Sequence, residues 1–208
     1  MLFRSDADVD GDLDPYLLGW GAGSPGPGTP PIPEHDWLLE NDDGVFFDRS
    51  ADMRPADAPP GAAFAAGWFD SDGDGLQDLY VANDLGGLGG NAPNQYFENQ
   101  GDWAFAHRRD GADIAMLAMG LALGDMDNDG DVDLHVSNAG PTVLLRNEGD
   151  HLFTDVSLQV AEFSDGSAGD VSWGTTFLDH DNDGVLEIAT AYGFMPTKGV
   201  GVRAEEHT

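Results

Sequence analysis

Apolar and polar positions along this chain repeat in blocks instead of following one helical or strand period. An apolar, Gly-containing run precedes three Asp-rich segments: Ala66-Gly-Trp-Phe69, Gly120-Leu-Ala-Leu-Gly124 and Trp173-Gly-Thr-Thr-Phe-Leu178. A short strand-like run follows all four such segments: Leu13-Asp-Pro-Tyr-Leu-Leu18, Asp78-Leu-Tyr-Val-Ala82, Asp133-Leu-His-Val-Ser137 and Glu187-Ile-Ala-Thr-Ala191. After three of these come two further β-prone runs around an Asn/Asp/Gly turn, spanning Trp37 to Phe47, Gln95 to Phe105 and Leu144 to Phe153. Such a pair around a turn is a hairpin signal. One unit therefore reads strand, Asp loop, strand, connection, strand, turn, strand. Four antiparallel strands recurring every roughly forty to sixty residues predict an all-β fold built of β-propeller blades. A sandwich, the competing architecture, does not demand the same motif in every unit.

The blades are expected near residues 1–50, 62–108, 118–157 and 171–195 of a single propeller region. The fourth is expected to stop near Phe194 after two strands, and the first has only Met1-Leu-Phe-Arg-Ser5 in place of the Gly-containing lead-in. Known propellers have roughly four to eight blades. About three and a half blades do not close a ring, so the expectation is part of a larger propeller, with self-association as the other route to closure. An insertion rich in Gly and Pro, Gly19 to Asp36, reads as an exposed and partly extended loop.

The Asp-rich segments share the pattern Asp-x-Asp-x-Asp-Gly-x-x-Asp/Glu and begin at Asp6, Asp70, Asp125 and Asp179, with separations of 64, 55 and 54 residues. Ca²⁺ takes six to eight oxygens at about 2.3–2.6 Å. Asp at positions one, three and five turns three carboxylates toward one point, and Gly at position six permits the sharp bend. Position seven offers its backbone carbonyl, and the acid at position nine completes the set. The candidate ligands are Asp6, Asp8, Asp10, Asp12 and Asp14; Asp70, Asp72, Asp74, Leu76 and Asp78; Asp125, Asp127, Asp129, Asp131 and Asp133; and Asp179, Asp181, Asp183, Val185 and Glu187. Four carboxylates without an ion repel one another, and Mg²⁺ prefers a smaller, rigid octahedron, so up to four Ca²⁺ are expected. An EF-hand would need Glu at position twelve, where the chain has Leu17, Val81, Val136 and Thr190. His180, at position two of the fourth loop, is expected to point outward.

Composition narrows the function classes. There are 39 acidic residues against 8 Lys plus Arg, a formal net charge of −31, which four Ca²⁺ would bring to −23. That field repels phosphate backbones and anionic lipid, so neither nucleic acid nor membrane docking is expected. With no Cys, disulfides, zinc-thiolate sites and Cys nucleophiles are excluded. The longest apolar run, Ile114 to Leu123, is too short to span a bilayer. No signal peptide is read in the chain.

The stretches GWFDSDGDGLQDLYVAND, GLALGDMDNDGDVDLHVSN and LLRNEGDHLFTDVS resemble the FG-GAP/VCBS repeats of integrin-like β-propellers, in the flavour of cartilage acidic protein and ASPIC/UnbV proteins. The resemblance covers three repeats nearly whole and half of the fourth. It implies a secreted or periplasmic module whose calcium loops join the first two strands of each blade and whose ligands dock on the opposite rim. Calcium would then be mainly structural and the module non-catalytic, mediating adhesion or interaction with a protein or glycan. Trp20, His35, Trp37, His107, Arg108 and Arg109 are the candidate ligand residues on that rim. The alternative is a domain of a secreted carbohydrate-active protein, lectin-like or a lyase or hydrolase. Neither a Gly-x-Ser-x-Gly elbow nor a His-Glu-x-x-His pair occurs to favour catalysis.

Overall fold

The computed structural model describes residues 1–20, 36–53, 61–86, 92–159 and 170–194, together with the strand Val202–Glu205. His35 and most of the Gly/Pro-rich insertion lie outside the described residues.

Each repeat forms one antiparallel meander whose strands pair in chain order. Blade 1 consists of β1 (Leu2–Ser5), β2 (Asp14–Leu17), β3 (Trp37–Asp42) and β4 (Val45–Asp48). Blade 2 consists of β5 (Ala62–Phe69), β6 (Asp78–Asp84), β7 (Gln95–Asn99) and β8 (Phe105–Arg108). Blade 3 has β9 (Ala118–Gly124), β10 (Asp133–Asn138), β11 (Val143–Asn147) and β12 (Phe153–Asp155). Blade 4 has β13 (Asp170–Leu178), β14 (Glu187–Phe194) and β15 (Val202–Glu205). Two strands were expected here; the third pairs with β14 through Thr190 and Glu205 and extends the sheet beyond Phe194. A four-residue helix, α1 (Ser50–Met53), follows β4 and was not legible in the pattern. The architecture is a partial β-propeller, with the first strands in sequence contact: β1 against β5, β5 against β9, and β9 against β13.

The blades stack face to face, and this explains the hydrophobic runs. A strand sandwiched between two neighbouring sheets is buried on both sides and reads as continuously apolar instead of alternating. Every residue of β6 is buried, whereas all four residues of the outer strand β4 are exposed. Between blades 1 and 2 the core is Tyr16, Leu38, Ala63, Ala66, Leu79, Val81, Phe97 and Phe105. Between blades 2 and 3 it includes Phe69, Tyr80, Tyr96, Leu134, Val136, Leu145 and Phe153. Small residues on first strands let the blades approach. A Cβ on Gly67 would stand 2.8 Å from Leu123 Cδ1, and one on Gly120 would stand 2.4 Å from the Trp173 carbonyl oxygen.

Candidate metal loops and the joints between blades

All four Asp loops adopt one conformation. Position six is Gly at φ values of +102° (Gly11), +90° (Gly75), +101° (Gly130) and +91° (Gly184). Position four is left-handed as well: Val9 at 64°, Gly73 at 77°, Asn128 at 59° and Asn182 at 62°. Gly and Asn suit that region, whereas a β-branched residue there is strained. The position-one carboxylate accepts the position-six N–H in every loop, at 3.2 Å for Asp6, and at 3.0 Å for Asp70, Asp125 and Asp179. Position five accepts the position-seven N–H, as in Asp74 from Leu76 and Asp183 from Val185, both at 2.8 Å.

These bonds turn the acids inward. Oxygens of Asp6, Asp8 and Asp10, of Asp70, Asp72 and Asp74, and of Asp179, Asp181 and Asp183 lie within 4.8 Å of one another in each trio. In the third loop the trio within that distance is Asp125, Asp127 and Asp133, which brings in position nine. In the first loop Asp6 Oδ1 and Asp12 Oδ1 are buried without a hydrogen-bond partner. A hard, oxygen-seeking cation is the ligand class such an arrangement suits.

The position-nine acid has a second occupation. Asp14, Asp78 and Asp133 are buried at the root of the loop. One oxygen accepts the position-two N–H: Asp14 from Ala7 at 2.8 Å, Asp78 from Ser71 at 3.2 Å, Asp133 from Met126 at 2.8 Å, and Glu187 from His180 at 3.0 Å. The other oxygen accepts the backbone N–H at the end of the third strand: Asp14 from Asn41 at 2.9 Å, Asp78 from Asn99 at 2.7 Å, and Asp133 from Asn147 at 2.8 Å. In Asp14 and Asp133 each oxygen keeps a further lone pair, which leaves capacity for an ion, whereas Asp78 Oδ2 also accepts the hydroxyls of Ser71 and Tyr96 and is already filled. Burial pushes the carboxyls of Asp14 and Asp133 up to about 6, against the lowering pull of those N–H groups. Glu187 is held below the usual range by the His180 backbone N–H, then by its side chain. His180 Nδ1 sits 2.9 Å from Glu187 Oε2, so the ring folds onto the loop where an outward orientation was expected.

The shared Asn of the hairpins proves to join blades. Its side-chain oxygen accepts the N–H of the turn glycine in each: Asn41 from Gly44 at 2.9 Å, and Asn99 from Gly101 and Asn147 from Gly149, both at 3.0 Å. Its amide reaches the preceding blade. Asn99 Nδ2 donates to the Ala7 carbonyl at 2.7 Å, and Asn147 Nδ2 to the Ser71 carbonyl at 2.8 Å. Both acceptors occupy position two of the previous Asp loop. His151, at the tip of the third blade's hairpin, also crosses to blade 2. Its Nδ1 lies 2.9 Å from the Tyr96 hydroxyl, and its Nε2 lies 3.2 Å from Glu98 Oε1 and 3.4 Å from Asp72 Oδ2. Nothing in the one-dimensional pattern marks His151, because its partners come from another repeat.

The expected ligand residues do not gather at one point. Trp20 is half exposed and donates from Nε1 to Asp84 Oδ2 at 3.1 Å, at the end of β6 farthest from the Asp loop. Trp37 opens β3 opposite Leu17. His107 and Arg108 alternate to opposite faces of β8. His107 stacks with Phe97 at 5.3 Å between centroids, while Arg108 pairs with Glu98 at 2.6 Å. Arg109 follows on the surface.

Residues 70–136 and 125–190 match the FG-GAP-like repeat, and together they take in more than half of the chain. The chain belongs to the FG-GAP-like repeat family. The narrower likeness to the ASPIC/UnbV type gains no support from that match. No curated protein matches the chain. Among solved structures, this FG-GAP-like chain is similar to an Agrocybe aegerita lectin whose structure concerns specific recognition of non-reducing terminal N-acetylglucosamine. The identity is 20% and the TM-score 0.48, covering 98% of this chain and 51% of the lectin. The chain thus spans about half the length of that protein. Among the described residues no helix is long and apolar enough to cross a membrane.

Proposed function

We propose that this FG-GAP-like propeller is a calcium-stabilised, non-catalytic module that presents a binding rim for adhesion or interaction outside the cytoplasm. The observation that carries the reading is the convergence of three carboxylates within 4.8 Å in each of four separately encoded loops. Buried acids whose protonation is favoured in the absence of a cation support it further. Calcium in this reading acts on the fold: it neutralises loops that fasten the first two strands of each blade, and through position two it steadies the joint to the next blade. Sites of this kind, on extracellular modules, fill at about 10⁻⁴–10⁻³ M calcium, which is the basis for placing the module in a secreted or periplasmic setting. The ligand, a protein or a glycan, is assigned to the rim opposite the loops, where Trp20 and Arg109 stand.

The experiment is thermal unfolding in EDTA and across a calcium titration, with magnesium as control. A ligand that binds only the folded state adds about 2.7 kcal/mol per site at a hundredfold excess over Kd. A calcium-selective rise in Tm is expected. A folded chain whose Tm ignores calcium would refute the reading.

A further inference from the structure

We infer that neighbouring Asp loops take up their cations cooperatively, because the buried Asn at the end of the third strand ties each loop to the one before it. The inference rests on the calcium reading of the loops and concerns how that binding is regulated.

The tie is a run of hydrogen bonds that crosses two joints. Asp14 accepts the Ala7 N–H, the Ala7 carbonyl accepts Asn99 Nδ2, and the Asn99 N–H is donated to Asp78. Asp78 accepts the Ser71 N–H, the Ser71 carbonyl accepts Asn147 Nδ2, and the Asn147 N–H is donated to Asp133. Three loops on three blades are thereby linked, and both Asn residues are buried. Neither has slack. The turn glycine holds its Oδ1, the acid of its own blade holds its N–H, and the loop of the preceding blade holds its Nδ2. A shift at one of these bonds strains the other two, and burial keeps water from replacing a lost partner.

Both ends of the second tie lie at candidate ligands. Ser71 stands between Asp70 and Asp72, whose oxygens converge with those of Asp74, and Asp133 converges with Asp125 and Asp127. His151, at the tip of the same hairpin as Asn147, adds a contact to the second loop through Nε2, 3.4 Å from Asp72 Oδ2. Trp103 holds the corresponding place in blade 2 and lies against Arg49 instead, at 5.5 Å. Asn99 holds Asp78, one oxygen of which is already filled by two hydroxyls. The link between the second and third loops is therefore the stronger one. While the carboxylates of a loop repel one another, position two is free to shift. Once they are neutralised, position two settles, its carbonyl fixes the Asn, and the Asn N–H holds the acid of the next loop in place. That loop then needs less ordering of its own, which is positive cooperativity. One buried hydrogen bond of ordinary strength corresponds to about fivefold in an equilibrium constant, and this is the coupling expected.

Isothermal titration of calcium into the EDTA-stripped full chain tests this on the wild type, Asn147→Ala, Asp127→Asn and the double variant. Asp127 is exposed, so its variant is expected to fold as the wild type does. The wild type should bind with a Hill coefficient above unity. Asp127→Asn should empty the third loop and weaken the neighbouring site about fivefold. Asn147→Ala should keep the stoichiometry and lose the coupling, so that adding Asp127→Asn to it weakens no other site further. Near-UV circular dichroism along each titration separates coupling within the folded chain from folding driven by the ion. A chain that takes up no calcium overturns the calcium reading and this inference together. Calcium uptake at independent sites, or other sites left at wild-type affinity in Asp127→Asn, overturns the coupling alone. So does a coupling that survives Asn147→Ala, including one in which both chains fold only as calcium binds. Should Asn147→Ala stay unfolded even in saturating calcium, Asp127→Asn decides by the same fivefold weakening or its absence.

Discussion

Replacing Asn147 by Ala tests whether the blade joints are held by the repeated Asn. Asn147 is fully buried and its side chain makes two bonds: Nδ2 to the Ser71 carbonyl at 2.8 Å, and Oδ1 from the Gly149 N–H at 3.0 Å. The backbone N–H that serves Asp133 survives the change. A buried hydrogen bond contributes about 1 kcal/mol net, and a buried group left without a partner costs about 1–3 kcal/mol more. Losing both bonds and stranding the Ser71 carbonyl between blades therefore destabilises by about 3–5 kcal/mol. For a chain of this size that lowers Tm by roughly 6–20 °C. Asn41→Ala is the internal control, since it loses the same turn bond but no bond to a preceding blade within the chain. Its cost should be about 1 kcal/mol. Asn147→Asp should not rescue, because it keeps the acceptor for Gly149 while placing an oxygen against the Ser71 carbonyl. Urea unfolding followed by tryptophan fluorescence in saturating calcium reads all three. Equal costs for Asn41→Ala and Asn147→Ala would show that the cross-blade bond contributes nothing and would refute the reasoning.

Other consequences can be checked separately. Val9 is exposed and left-handed, so Val9→Asn should relieve strain and raise stability by about 1 kcal/mol without loss of packing, as read by urea unfolding. Asp72→Asn should weaken calcium binding and reduce the calcium-induced rise in Tm, leaving the EDTA value nearly unchanged; an unaltered calcium response would exclude Asp72 as a ligand. In EDTA, Asp14 and Asp133, raised by burial to about 6, favour the folded state when protonated, and that contribution fades as pH climbs through about 6. Calcium needs the ionised carboxylates, so the calcium-induced gain in Tm should widen from pH 5 to 7; a pH-independent gain would refute this. Burial lowers His135 from its ordinary value of 6.5 to about 4, so the unfolded chain takes up a proton first and stability falls as pH drops through that window. The limit is about 3 kcal/mol at about 1.4 kcal/mol per pH unit, and His135→Gln should flatten the acid limb of a Tm–pH profile.

The sequence by itself determined the repeat, the all-β class and the four Asp loops, because each depends on short-range chemistry. An Asp-x-Asp-x-Asp-Gly run turns its carboxylates inward through bonds spanning two to five residues, and strand pairing follows from turns within one blade. The third strand of blade 4 escaped notice because no Asn/Gly turn or loop motif announces Val202–Glu205. Only the tertiary structure decided what lies between blades. Asn99 and Asn147 look like turn residues from within their hairpins. Their contacts with Ala7 and Ser71 lie 92 and 76 residues away in sequence. His151 finds Tyr96, Glu98 and Asp72 in the same fashion, and Gly67, Gly120 and Gly124 show their tight fit only once a neighbour is in place. A repeat spells out its own sheet, whereas the faces it needs are supplied by the next copy, so the joint is fixed by packing between segments that carry no local record of each other.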